Sequence, residues 1–421
     1  MQIKWPKCSI NRTSMVAQRH ITNNNILRFE VLSSKLRELD LRFNRFNNDK
    51  SILSCFNGNL STLKSLDLSG NGLTGSGLKV LSSRLKKLEI LDLWYNQFND
   101  SIFPSLTGFS SLKSLDLSGN ELTGSFNSFE IISSHLGKLE NLDLSSNNIF
   151  NNSILSHLRG LSSLKSLDLS GNMLLGSTTV NGLRKLDFLQ SLPSLKTLSL
   201  KDTNLSQGNI VSGPLTNLIS LKFLSLSNNL FEVPTSMKPF MNHSSLKIFS
   251  GGNNLWGQIS DFPLNEWKVC NVLDLSNNHF SGMLPRWFVN STRLGAIDLS
   301  KNHFKGPIPR DFCKLDQLLY LDLSENNLSG YIPSCFSPPS LIHVHLSENR
   351  LSGPLTYGFY NSSSLVTMDL RDNSFTGSIP NWIGKLSSLS VLLLRANHFD
   401  GELPVQLCLL EQLSILDVSQ N

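Results

Sequence analysis

The amino-acid sequence predicts an α/β solenoid, mostly β, in which about sixteen coils of about 24 residues stack side by side. Three observations predict it. The nine-residue string LKSLDLSGN occurs three times, starting at Leu63, Leu112 and Leu164. It is the best-kept form of a longer pattern, L-x-x-L-x-x-L-x-L-x-x-N-x-L-x-G, that recurs almost to the end of the 421 residues. Within that pattern the L-x-L step has the period of a strand, so Leu66 and Leu68 point to one side while Asp67 and Ser69 point to the other.

Each coil therefore contributes one strand, which cannot bury its apolar face alone. Stacking pairs its backbone with the neighbouring coils and joins the leucine columns into a continuous core. The asparagine column needs its own reason. It falls at Asn44, Asn71, Asn96, Asn120, Asn147 and Asn172, then Thr203, then Asn229, Asn253, Asn278, Asn302, Asn326, Asn349, Asn373, Asn397 and Asn421. An inward amide must find partners or cost roughly 1 to 3 kcal/mol. The main chain of the bend after the strand, in its own coil and the adjacent one, supplies them. Thr203 can imitate only part of this.

The coils differ along the chain. From Asn278 onward most close with a G-x-I/L-P step, as in SGMLP, KGPIP, SGYIP, TGSIP and DGELP. There Gly permits a tight turn and Pro ends pairing. Earlier coils lack that step, reach 31 residues between Asn172 and Thr203, and carry helix-compatible inserts such as GLKVLSSRLKKLE. Around Phe249 the register slips by one: Asn253 fits Leu255 and Gly257, whereas Leu246 and Phe249 place the amide at Asn254. A distortion of the sheet is expected there.

Repeats remove the usual size limit, so one elongated body is expected, with three segments. Residues 1–33 read as an incomplete N-terminal cap or first coil, 34–250 as irregular coils, and 251–421 as regular coils that stop halfway through a repeat. The reading is of a fragment or truncated product whose last strand, around Leu416 and Val418, presents a bare edge. Net charge is +5 and the basic residues are spread through the repeats, which gives nucleic acid no footing. No apolar run is long enough for a membrane segment. The start, MQIKWPKCSINR, has no apolar stretch of the kind a secretory signal needs.

Glycosylation triplets fall at Asn11, Asn59, Asn99, Asn151, Asn204, Asn242, Asn290, Asn327 and Asn361, and their number favours a secretory history. The six cysteines, Cys8, Cys55, Cys270, Cys313, Cys335 and Cys408, form no metal-ligand spacing. Cys270 fills a leucine slot. Cys313 and Cys408 sit equally far after their prolines, whereas Cys313 and Cys335 sit at different offsets, which argues against a bridge between those two.

Little suggests chemistry. GNGLTG, from Gly70 to Gly75, matches a dinucleotide-binding pattern, but its centre is the inward Asn71 and no crossover helix with an acidic partner follows. His279, His303 and His398 share one slot, and two imidazoles in adjacent coils are too few ligands for a metal. No nucleophile elbow, phosphate loop or kinase set is found. No catalytic residue, metal or cofactor is therefore expected, and the array reads as a binding scaffold with a concave sheet face.

The outward positions form columns. The residue inside L-x-L is mostly Asp: Asp40, Asp67, Asp92, Asp116, Asp143, Asp168, Asp274, Asp298, Asp322, Asp369 and Asp417. At a strand spacing of about 4.8 Å these carboxylates repel. A lysine column, Lys64, Lys113, Lys165, Lys196, Lys222 and Lys247, is expected to compensate. Recognition is expected where the pattern breaks, at Arg42, Phe43, Trp94, Tyr95, Lys201, Asp202, Tyr320, His343, His345, Arg371, Asp372, Leu393 and Arg395. Aromatic and Arg side chains are the usual interface anchors. Fifteen strand intervals span roughly 70 Å, and an extended dodecapeptide covers about 40 Å. Peptides, glycans and protein surfaces fit such a face; a small buried substrate does not.

The motif LDLSxNxLSGxIP, for example LDLSENNLSGYIP from Leu321, resembles the plant-type leucine-rich repeat, a right-handed superhelix or horseshoe with a parallel sheet on its concave face. The irregular early coils, LTGSGLKVLSSRLKKLEILDLWYNQFNDSI, look like those of plant receptor-like proteins without a kinase domain. WPKC, with Trp5 and Cys8, resembles the end of that family's N-terminal cap. The resemblance implies a glycosylated ectodomain on the extracellular side of the plasma membrane, perceiving peptides, microbial or damage-derived molecules, or developmental cues. It also implies co-receptor kinases as partners. Two alternatives share the repeat: a secreted inhibitor of pectin-degrading enzymes and a truncated copy that does not signal.

Overall fold

The computed structural model describes residues 36–44, 60–75, 77–124, 128–150, 157–174, 188–205, 214–229, 243–252, 256–258, 269–286 and 293–421. The chain divides into two compact units, Met1–Asn172 and Met173–Asn421.

In the first unit each L-x-L step is a three-residue strand: β1 (Glu38–Asp40), β2 (Ser65–Asp67), β3 (Ile90–Asp92), β4 (Ser114–Asp116), β5 (Asn141–Asp143) and β6 (Ser166–Asp168). All pair parallel and in register, so Leu39, Leu66, Leu91, Leu115, Leu142 and Leu167 form one row. Every member of the row is buried. The inserts of these coils become short helices, α1 (Leu78–Arg84), α2 (Phe103–Leu106) and α3 (Ser128–His135). Leu78 and Leu81 of α1 and Phe103 and Leu106 of α2 are buried.

The second unit repeats the scheme and adds a second sheet. Its main strands are β7 (Thr197–Ser199), β8 (Phe223–Ser225), β9 (Ile248–Ser250), β11 (Val272–Asp274), β13 (Ala296–Asp298), β15 (Tyr320–Asp322), β17 (His343–His345), β19 (Thr367–Asp369), β21 (Val391–Leu393) and β23 (Ile415–Asp417). Between them lie β10 (Trp256–Gln258), β12 (His279–Met283), β14 (His303–Gly306), β16 (Asn327–Gly330), β18 (Arg350–Gly353), β20 (Ser374–Ser378) and β22 (His398–Asp400), which form a seven-stranded parallel sheet of their own. The sequence puts a tight turn at the Gly of the G-x-I/L-P step and the end of pairing at its Pro. The strands do stop short of their prolines, but the glycine itself pairs in most of them, and in β12 and β20 pairing continues to Met283 and Ser378; the glycines keep a positive φ, as at Gly306 (78°) and Gly377 (74°). Pro309, Pro380 and Pro404 then cap short 3-10 helices, Arg310–Lys314, Asn381–Lys385 and Val405–Leu409.

The asparagine amides bond as a shared spine. Asn96 Nδ2 donates to Leu93 O at 3.0 Å in its own coil and to Leu68 O at 3.1 Å in the preceding one, while its Oδ1 accepts Leu73 N–H at 3.0 Å. The cross-coil bonds recur at Asn120, Asn147, Asn172, Asn302, Asn326, Asn349, Asn373 and Asn397. Asn71, Asn229 and Asn278 likewise donate to the coil before them. Thr203 keeps one donor, to Leu200 O at 2.8 Å, and the preceding coil's Leu174 N–H bonds its backbone carbonyl at 3.0 Å instead of an amide oxygen.

Two expectations are corrected here. The sheet does not slip at Phe249: β8, β9 and β11 pair in plain register, Leu224 with Phe249 and Phe249 with Leu273. Gly251 simply stands in the second leucine slot, its carbonyl accepting from Asn278 Nδ2 at 3.0 Å; Asn253 lies outside the described residues. Cys313 and Cys335 are joined by a disulfide with a Cα separation of 5.4 Å. Their unequal offsets from proline do not prevent it, because stacking already brings neighbouring coils within the reach a disulfide needs.

Candidate functional site

The x of each L-x-L step lies on the face opposite the core, and its aspartates are clasped locally. Ser69 donates to Asp67 Oδ1 through its N–H at 3.0 Å and its hydroxyl at 2.6 Å. The same double clasp holds Asp116, Asp298 and Asp322, and Ser145 N–H holds Asp143. Burial, and then the carboxylates on adjacent strands, push Asp116, Asp143 and Asp298 up to about 6.

The lysine column does not neutralise this row, contrary to the sequence expectation. Lys64 and Lys113 both pair with Glu89, the latter at 2.8 Å, and Lys165 pairs with Glu140 at 2.7 Å. The glutamates occupy the lysines' own column one coil away, whereas each aspartate lies three residues further along its strand.

The broken-pattern residues gather into separate patches. In the first unit Arg42 pairs with Asp40 at 2.7 Å. Phe43 meets Trp94 edge-on at 5.9 Å, and Trp94 meets Tyr95 at 5.7 Å. These three rings are 57%, 41% and 64% exposed, an unusual display for large apolar groups. Gly70 makes room for it, since a Cβ there would lie 2.4 Å from the Phe43 ring.

Phe43, Tyr95, Asp202 and Asp372 lie in the turn after the strand, with φ of 53° to 56°. They fill a left-handed slot that Gly70, Gly119 and Gly171 fill in other coils.

In the second unit Tyr320, His343, His345 and Arg371 come together with two residues that sequence reasoning assigned to the scaffold or passed over, Asp369 and Thr367. Tyr320 lies 6.3 Å from the His343 ring and 5.8 Å from the His345 ring, and its hydroxyl donates to Asp322 Oδ2 at 3.1 Å. His343 Nδ1 faces Thr367 Oγ1 at 3.1 Å. Arg371 grips Asp369 in bidentate fashion, Nε–H to Oδ1 at 2.9 Å and Nη2–H to Oδ2 at 2.8 Å. His345 Nδ1 stands 4.0 Å from the same carboxylate, within ion-pair reach but beyond a hydrogen bond.

Burial pulls the Asp369 carboxyl upward, yet His345 and Arg371 outweigh it and hold the group well below the usual carboxylate range. Burial, followed by the neighbouring His345, lowers His343, and burial with Asp322 raises Tyr320, which stays a donor. The one signal in the sequence for Asp369 is positional: His345 replaces an aspartate between Asp322 and Asp369 on adjacent strands.

The remaining candidates stand at the margins. Lys201 meets Asp202 at 3.8 Å at the end of β7. Leu393 extends the face in register with Asp369, and Arg395 donates through Nε to Gln420 Oε1 at 3.1 Å. His279 and His303 stack at 5.6 Å; among the described residues no group of three or more His, Cys, Asp or Glu is placed to hold a metal ion. Of the glycosylation triplets, Asn99, Asn204, Asn327 and Asn361 are exposed, while Asn11, Asn59, Asn151, Asn242 and Asn290 lie outside the described residues. No helix among the described residues is long and apolar enough to cross a membrane.

Family models described as leucine-rich repeats match residues 61–122, 268–328, 163–186, 364–386 and 32–49. Over these stretches the chain carries leucine-rich repeats. Among proteins with such repeats it is similar to plant receptor-like proteins. It is 34% identical over 116 residues to Receptor like protein 21 of Arabidopsis thaliana, covering 23% of this chain. It is 31% identical over 135 residues to Cuscuta receptor 1 of Solanum lycopersicum, covering 25% of this chain. In each case the match spans 12% of the relative's length.

Solved structures agree on the fold of this leucine-rich-repeat chain. The plant peptide hormone receptor RGFR1 in complex with RGF2 superposes with a TM-score of 0.68 at 24% identity, over 92% of this chain and 63% of that one. The ectodomain of the Arabidopsis thaliana membrane receptor kinase GASSHO1/SCHENGEN3, in complex with Casparian Strip Integrity Factor 2, gives 0.62 at 28%, over 88% and 51%. A Leptospira interrogans leucine-rich-repeat protein gives 0.62 at 24%, over 95% and 90%, so the fold alone does not fix the role.

Proposed function

We propose that this leucine-rich-repeat chain is the recognition part of a plant cell-surface receptor-like protein. It binds a peptide or protein ligand on the strand face, outside the cell, and acts through partner receptor kinases in defence or development. The observation that carries the reading is the Tyr320, His343, His345, Asp369 and Arg371 cluster. A regular repeat gives no reason to set an aromatic ring, two imidazoles and a bidentate ion pair on neighbouring strands, with His345 and Arg371 in the slots where other coils carry the clasped aspartate and its serine. Aromatic and arginine groups held in place by their own neighbours are the anchors on which protein recognition concentrates. The exposed Phe43, Trp94 and Tyr95 rings offer a second anchor of the same kind. The likeness to a plant receptor ectodomain in complex with Casparian Strip Integrity Factor 2 supports the ligand class.

The test is an array of extended dodecapeptides and secreted plant proteins screened against the full chain. For the ligand it selects, Trp94→Ala or Arg371→Ala, according to which patch that ligand contacts, weakens binding at least about ten-fold, the scale of an interface hot spot. Wild-type affinity in both variants contradicts the reading.

A further inference from the structure

Strands β7, β8 and β9 break two columns at once. Where other strands carry aspartate they carry Ser199, Ser225 and Ser250, which pair in register across the three strands. In the lysine column the alternation with glutamate stops, and Lys196, Lys222 and Lys247 follow one another on adjacent strands. Backbone bonds fix that adjacency: Lys222 N–H donates to Lys196 O at 2.7 Å and Lys247 N–H to Lys222 O at 2.8 Å. All three lysines are exposed. Among the described residues none of them meets a carboxylate, in contrast to Lys64, Lys113 and Lys165, each of which does. On β11, which pairs with β9, Asp274 is engaged by the Ser250 hydroxyl at 2.8 Å. Beside the lysines runs a second column, Thr197, Phe223 and Ile248, half-buried and mostly apolar.

Three like charges at the spacing of adjacent strands, about 4.8 Å, repel one another. An anionic partner relieves that repulsion, and complementary charge is what selects partners and speeds their encounter. The apolar column decides the class of partner: a polypeptide can lay aliphatic side chains on Phe223 and Ile248, while a uronate chain offers mainly hydroxyls.

We propose that β7, β8 and β9 bind an acidic polypeptide segment in extended form, its carboxylates meeting Lys196, Lys222 and Lys247 and its apolar side chains covering Phe223 and Ile248. This rests on the reading of the strand face as a recognition surface and names the ligand chemistry for one stretch of it.

The test uses the full chain and a fluorescein-labelled dodecapeptide, (Glu-Val-Glu-Ala) repeated in tandem, read by fluorescence anisotropy across a salt series. The wild-type chain binds it, and affinity falls as salt rises. A triple variant, Lys196→Gln with Lys222→Gln and Lys247→Gln, weakens binding at least about ten-fold and flattens the salt dependence. The corresponding triple Lys→Arg variant retains affinity, which separates charge from damage to the fold. Absence of binding by the wild-type chain, unchanged affinity in the Gln variant, or equal binding of a peptide with Gln in place of Glu overturns the proposal. Equal competition by polygalacturonate at the same carboxylate concentration overturns the choice of a peptide. Should the lysine row fail while Trp94→Ala or Arg371→Ala still loses the array-selected ligand, the strand-face reading stands without it.

Discussion

Tyr331 lies across Gly353 of the next coil, so that a Cβ at that glycine would sit 2.1 Å from the Tyr331 ring. The contact belongs to a series in which the residue after each G of the G-x-I/L-P step packs over the following coil's glycine: Met283 over Gly306, Pro307 over Gly330, Pro354 over Gly377. Glycine is required there for space and also for a left-handed backbone, φ being +76° at Gly353.

Gly353→Ala is therefore expected to destabilise by about 2 to 4 kcal/mol in denaturant unfolding, combining the left-handed penalty with a clash. Gly377→Ala, with φ of +74° but Pro354 at 3.5 Å, carries mainly the first part and should cost about 1 to 2 kcal/mol. Adding Tyr331→Ala to Gly353→Ala should bring the two values together; a double variant as unstable as Gly353→Ala alone contradicts the packing argument.

The aspartate row makes stability depend on pH in an unusual direction. Asp116, Asp143 and Asp298 have native values of about 6, above the ordinary 3.8. Their contribution is thus fully present below pH 3.8 and is lost as pH rises through 6. Asp116→Asn keeps an acceptor for Ser118 and removes the charge. It is expected to stabilise by about 1 to 3 kcal/mol at pH 7.5 and by nearly nothing at pH 4. Equal effects at both values contradict the assignment.

The Cys313–Cys335 bridge closes a loop of 22 residues. In the chain-entropy account that is worth about 3 kcal/mol. Peptide mapping of the non-reduced chain should recover the two cysteines in one linked peptide, and Cys313→Ser should lower the unfolding midpoint. Recovery of both as free thiols under oxidising conditions contradicts the pairing.

Legibility in the sequence followed how local each cause is. The main strands and the inward amides were readable because L-x-L and the asparagine slot repeat with fixed offsets, and side-chain alternation does the rest. The second sheet was not, because His279–Met283 and its equivalents look like turn sequence and become strands only when the next coil supplies the pairing partner. Charge pairing failed for the same reason: Lys113 and Asp116 are close in the chain, yet Lys113 bonds Glu89, 24 residues away. At the site, the breaks at Tyr320, His343, His345 and Arg371 were visible one by one. The meeting of His345 and Arg371 at Asp369 was not, since that residue looks like every other aspartate of its column. Nor does the sequence pattern reveal that the slot of Phe43 and Tyr95 turns left-handed.

Asn96 and Trp94 are two residues apart and have opposite tasks, which makes them the sharpest test of the division between a shared inner spine and a free outer face. Asn96 is buried and bonds Leu68, Leu73 and Leu93, whereas Trp94 is 41% exposed. Equilibrium denaturation of Asn96→Ala and Trp94→Ala measures the difference directly. The expected result is a loss of about 2 to 4 kcal/mol for Asn96→Ala, from unpaired buried main-chain groups in two coils, against at most about 1 kcal/mol for Trp94→Ala. Equal losses, or an Asn96→Ala midpoint unchanged within error, would contradict it.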